Sequence, residues 1–163
     1  MPEIPSIPSW DALHPGMSHF PIVLLLVAPV FLIIALMSEK RRTGMLSMAL
    51  WFLLAGTVGV YLAAATGDSA KELAPKTPEI VKAVEHHEDM GAIVRVVFTV
   101  LTVLLGALRY GPAMLKKEPG PKMLAVLIVV LLLIYLVAAI LLFDAAHSGA
   151  LLVHKLGVHA KIV

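Results

Sequence analysis

Four apolar runs, three of them free of charge and each close to the roughly 20 helical residues needed to cross a hydrocarbon core, leave this chain few ways to fold. They cover about residues 19–37, 45–66, 89–110 and 123–143. Only the third is interrupted, by Arg95 in its second turn, from where a long side chain reaches the interface. Charged residues make up 15% of the sequence and the mean hydropathy is +0.93, whereas soluble domains carry about a quarter charged residues. The expectation is an all-α fold: an integral membrane four-helix bundle forming a single transmembrane domain over 1–163, with a tail from 144 onward. Links of roughly 8, 22 and 12 residues force antiparallel neighbours and up-down-up-down topology. Pro29 interrupts the first run and frees the Leu25 carbonyl, which predicts a kink there. Gly59 and Ala63 form a small-residue pair suited to close helix approach. No internal repeat is evident in the sequence.

The short loops set the expected orientation, because basic residues stay on the cytoplasmic side. Lys40, Arg41, Arg42, Arg109, Lys116, Lys117 and Lys122 share one side. Lys71, Lys76, Lys82, Lys155 and Lys161 lie on the other among nine acidic residues. Both termini are therefore expected outside. Glu3 and Asp11 flank the first run with no Lys or Arg before Lys40, unlike the basic start of a signal peptide, so this run reads as a true span.

Several functions are disfavoured at once. With no cysteine, disulfides, thiolate clusters and covalently attached haem are excluded. No carboxylate lies inside a span, which argues against a proton relay or ion path. A net charge of +2 without a basic face argues against nucleic acid. No nucleotide-binding glycine motif or nucleophile elbow is present.

The remaining chemistry is mostly seven histidines. His14 and His19 precede or open the first span, His86 and His87 open the third, and His147, His154 and His159 follow the fourth, so all fall on the external side. Segments converging on one bundle mouth are how membrane bundles assemble cofactor sites. His87, Gly91 and Arg95 share one helical face, offering an imidazole ligand, clearance and a cation for a porphyrin carboxylate. His147 and His154, seven residues apart, share a stripe if the fourth helix continues. His14 and His19 are expected in a loop folded over the mouth, because the residue before a proline avoids helical geometry and Pro21 suits a first helical position. The Glu85–Asp89 run also offers mixed histidine and carboxylate chemistry for zinc, copper or iron.

The segments HPGMSHFPIVLLL (14–26), AAATGD (63–68), His87–Glu88 and GALLVHKLGVHA (149–160) resemble the bacterial membrane family called domain of unknown function 2231. The resemblance spans nearly the whole chain and implies four spans. It places His14 and His19 on the family's two N-terminal histidines. It departs at the end, where His154 stands at the family's tyrosine position and Leu156 at its histidine position. Fusions of such modules to Rieske or cytochrome domains imply a redox setting.

Together these readings point to a non-enzymatic, b-type cytochrome-like electron carrier of the bacterial inner membrane. One or two haem b groups are expected near a periplasmic, histidine-rich face, with His19 and His87 as one axial pair and His14 with His147 or His154 as a second. Arg95 is expected to neutralise a propionate. Electrons would pass between quinol and a periplasmic c-type cytochrome or Rieske-type protein. The alternatives are a metal-binding membrane protein using His14, His19, His87, His147 and His154 for Zn, Cu or Fe, and a non-haem accessory subunit of a larger membrane complex. A histidine-ligated metal oxidase is the enzymatic variant, and the small-residue face of the second span suits a homo-oligomer or complex.

Overall fold

A computed structural model describes residues 9–158; His159 lies outside them. Four helices make up the described residues: α1 His14–Met37, α2 Arg42–Leu73, α3 Pro78–Leu115 and α4 Pro121–His154. A single 3-10 turn at Glu39–Arg41 joins the first two. Each helix is long and apolar enough to cross a membrane, and no strand occurs among the described residues. The up-down-up-down bundle pairs α1 with α2, α2 with α3, α3 with α4 and α4 with α1, closing a ring. Large apolar side chains such as Val30, Ile33, Val103 and Leu136 point outward, where they meet lipid tails.

The helices outrun the apolar runs. At 1.5 Å per residue the 38 residues of α3 extend roughly 57 Å, well beyond a hydrocarbon core of about 30 Å. The supposed long connection between the second and third spans shrinks to residues 74–77. Thr77 caps α3 by accepting from the Ile80 amide, and Pro78 follows in the first turn, where its missing N–H costs nothing. The tail is likewise helix as far as His154.

His14 is not in a loop. It opens α1, with Pro15 in the first turn, so Pro21 sits inside the helix. The restriction on a residue before proline is tolerated at His14 because a helix's first residue need not be fully helical.

In lipid, helix association depends on close approach and hydrogen bonding. Gly56 and Gly59 of α2 receive α1: a Cβ at Gly56 would stand 2.6 Å from Leu25 Cδ2, and one at Gly59 3.0 Å from Pro21 Cβ. The Leu25 carbonyl released by Pro29 accepts a 2.6 Å hydrogen bond from the Tyr135 hydroxyl of α4. Thr57 and Thr102 join α2 to α3 at 2.9 Å, and Tyr61 and Thr99 do so at 3.1 Å. At the basic end, Arg42 is buried and its Nε donates to the last-turn Ala35 carbonyl at 3.1 Å. Arg109 Nε donates to Ser47 at 2.8 Å.

A repeat invisible in the sequence emerges from packing. Counting from His14 and from His87, the buried positions of α1 and α3 coincide: Pro21 with Val94, Leu25 with Phe98, Ala28 with Leu101, Leu32 with Leu105. Those of α2 and α4 also run in constant register, from Leu46 with Ile128 through Leu53 with Tyr135 and Val60 with Leu142 to Thr66 with Ser148. The α1–α2 and α3–α4 hairpins therefore carry their buried positions in the same register, with α1 packed more closely on α2 than α3 is on α4. The repeat escapes the sequence because lipid-facing positions drift freely among apolar residues.

Tyr135→Phe leaves the Leu25 carbonyl without its donor and should cost about 1 kcal/mol. Thermal unfolding of the detergent-solubilised protein should show a lower midpoint than wild type; an unchanged midpoint would show that this bond contributes nothing.

Candidate functional site

At the end of the bundle opposite the basic loops, the helices enclose a cavity of about 470 Å³. Small residues make the room: Ala63, Ala64, Gly67 and Ala70 from α2, Gly91 and Ala92 from α3, Ala145, Ala146 and Gly149 from α4. Its volume falls in the 300–1,000 Å³ range of small-molecule and cofactor sites.

Two half-buried imidazoles project into this space from diagonally opposed helices, His14 from α1 and His87 from α3. Their ring centroids are 6.2 Å apart and their planes meet at 75°. Each ring is held the same way. His14 Nδ1 lies 2.9 Å from the Ala63 carbonyl and 3.2 Å from Thr66 Oγ1. His87 Nδ1 lies 2.9 Å from Ser148 Oγ. Thr66 and Ser148 each donate to the carbonyl three residues earlier, Ala63 and Ala145, at 2.9 Å. A carbonyl can only accept, and a hydroxyl whose proton is spent on a carbonyl accepts in turn. Both histidines therefore carry their proton on Nδ1, leaving the Nε2 lone pair free.

The residue after each hydroxyl is a glycine, for steric reasons. A Cβ on Gly67 would come 3.0 Å from His14 Cε1, and one on Gly149 2.9 Å from His87 Cε1. Gly91, one turn beyond His87, faces open space. Alanine, hydroxyl and glycine thus recur as Ala-x-x-Thr-Gly at 63–67 and Ala-x-x-Ser-Gly at 145–149, each cradling the histidine of the preceding helix.

Charge gathers between α2 and α3. Lys71 Nζ meets Glu88 Oε2 at 2.5 Å across the rim. Arg95 lines the cavity with neither an ion pair nor a side-chain hydrogen bond among the described residues.

The remaining histidines go elsewhere. His19 is exposed, and its Nδ1 donates to the Pro15 carbonyl of its own helix at 2.5 Å. Five residues turn a helix by about 140° beyond a full circle, so His14 and His19 cannot share a face. The pair brought together is thus His14 with His87, rather than His19 with His87. His147 and His154 do lie on one stripe of α4, but it is exposed, while Ser148 beside them turns inward. His14 accordingly has no partner in either. His87, Gly91 and Arg95 all line the cavity, as their spacing predicts. Among the described residues, no three of His, Cys, Asp and Glu converge as a metal ion would need. Thr66, Ser148 and their glycines were missed by sequence reasoning; their signal was the hydroxyl-glycine pair near the end of each second helix.

The fold and site define a four-helix membrane protein with a histidine-lined cavity at one end of its bundle. The chain belongs to the family described as predicted membrane protein (DUF2231), whose model matches residues 10–161. No curated protein and no solved structure matches it.

The tautomers are directly measurable. In long-range 1H–15N spectra of ring-labelled protein, two histidines should show a protonated Nδ1 and a bare Nε2, and those signals should vanish in His14→Ala and His87→Ala. Nε2-protonated rings at these positions would contradict the hydrogen-bond assignment.

Proposed function

We propose that this protein is a membrane-embedded electron carrier that holds one non-covalent b-type haem between His14 and His87. The observation carrying this reading is the geometry of the two imidazoles. Both rings line one cavity with their centroids 6.2 Å apart, so His14 and His87 would be the residues that hold a group placed between them.

Other features support the same reading. Each Nδ1–H is spent on a protein acceptor, the arrangement that fixes and strengthens metal-binding histidines. His14 and His87 would be the protein's ligands, and haem would bring the remaining donors of its iron itself. A chain without cysteine binds haem without covalent attachment. When bound, the haem supplies the one-electron chemistry. The protein's part is to present two neutral imidazoles, surround them with apolar wall and place Arg95 beside them.

In this reading the basic loops face the cytoplasm of a bacterial inner membrane and the histidine end faces the periplasm. Electrons pass between quinol in the bilayer and a periplasmic c-type or Rieske-type partner, with the protein working alone or as a subunit of a larger complex. The Zn, Cu or Fe alternative loses ground because His19, His147 and His154 stand away from the pair.

The test is spectroscopic. Protein purified in detergent after expression with ample haem supply should give reduced-minus-oxidised bands of a low-spin b haem and a positive pyridine haemochrome. His14→Ala and His87→Ala should each abolish the low-spin bands, whereas His19→Ala and His147→Ala should leave them intact. Absence of haem bands in wild type overturns the proposal. Gly149→Val, which drives a side chain into the His87 ring, should lose the bands as well.

A further inference from the structure

The two hairpins repeat each other's core, yet the cavity they share is electrically lopsided. In the shared register Arg95 of α3 corresponds to Ile22 of α1, Glu88 to Pro15, and Lys71 of α2 to Val153 of α4. All six of these residues line the cavity. Within these three pairs every charged member falls at the α2–α3 seam and every counterpart is uncharged; Asp68 of α2 and Asp89 of α3 also line the cavity, and Asp11 lines it just before α1. Lys71 is neutralised by Glu88 at 2.5 Å. Arg95 is left as the cation whose guanidinium no protein carboxylate occupies among the described residues.

The pair of imidazoles alone would accept a flat ligand in either of two orientations. An unpaired guanidinium on one side and apolar wall on the other removes that degeneracy. Arginine offers a planar fork of N–H donors matched to a carboxylate, and such charge-assisted bonds are roughly twice as strong as neutral ones. Ile22 and Val153 offer an anion no donor to compensate its desolvation.

We infer that the cavity takes a planar amphiphilic dicarboxylate in one orientation, its carboxylate edge at the α2–α3 seam on Arg95 and its apolar edge toward Ile22 and Val153 at the α4–α1 seam. This rests on the haem reading above and adds to it a fixed direction for the macrocycle. Arg95 is the residue that sets it, and Ile22 is its deliberate opposite.

Two probes separate the carboxylate contribution from the rest of binding: haemin, and haemin dimethyl ester, which keeps the metal and the ring but lacks the charges. Both are titrated into porphyrin-free protein in detergent, for wild type, R95Q and R95K. Removing a charged hydrogen-bond partner should weaken haemin binding by about tenfold in R95Q, with ester affinity changed by less than about twofold and R95K retaining most of the haemin affinity. Moving the cation to the equivalent position, in the R95I/I22R double variant, should restore haemin affinity relative to R95I. Equal losses for both probes in R95Q, with wild type binding haemin tightly, would overturn the orientation while leaving the haem reading standing. A wild-type protein that binds neither probe overturns the haem reading, and this inference with it.

Discussion

Lipid tails are as apolar as leucine, so the hydrophobic effect does not press membrane helices together. This bundle depends instead on places where backbones come close or polar groups meet. Gly56 and Gly59 let α1 settle against α2 until a methyl group would collide with Leu25 or Pro21. Pro29 frees a carbonyl, and Tyr135 of α4 supplies the donor. A Thr57–Thr102 pair, a Tyr61–Thr99 pair and Arg109 tie α2 to α3. With each seam fixed at a few points, the ends of the helices have a defined separation, and one end can hold a cavity rather than collapse onto it.

The histidine end applies the same rule to imidazole. A ring lodged between helices must satisfy its N–H, and here a carbonyl and a hydroxyl at the end of the following helix accept it. The hydroxyl is followed by glycine because the ring edge lies where a Cβ would be. That three-part cradle occurs once per hairpin. The matching register of the two hairpins then brings both rings into one cavity, their centroids 6.2 Å apart. A pair of imidazoles offset to one helix face would not achieve this; it takes two hairpins facing each other.

Much of the architecture was legible in the run lengths. Four spans, their antiparallel order and the gathering of histidines at one end all follow from hydrophobicity and spacing. The Leu25 carbonyl was predictable as well, since Pro29 must release it. Helix ends were less legible, because apolar run length reports the membrane's thickness while polar turns prolong the helices past it, as in Pro78–Glu88. That error carried into the site. A loop over His14 and His19 gives neither residue a helical phase relative to Pro21 and Leu25, so spacing does not separate the ring that faces the bundle from the one that turns away. Starting α1 at His14 rather than at Pro21 puts His14 in phase with the buried stripe and turns His19 away.

The sequence by itself determined that the chain is a four-span membrane bundle, free of thiol chemistry, with its histidines at the end away from most of its cations. These properties depend on composition and linear spacing. Tertiary structure alone decided which histidines meet, which hydroxyls orient them and that the two hairpins share one register of buried positions. Those outcomes depend on the rotational phase of each helix and on contacts between residues such as His14 and Thr66 or His87 and Ser148, distant in the chain. A helix in lipid can rotate about its axis without changing its apolar character, so only the fit against its neighbours fixes the direction its polar residues face.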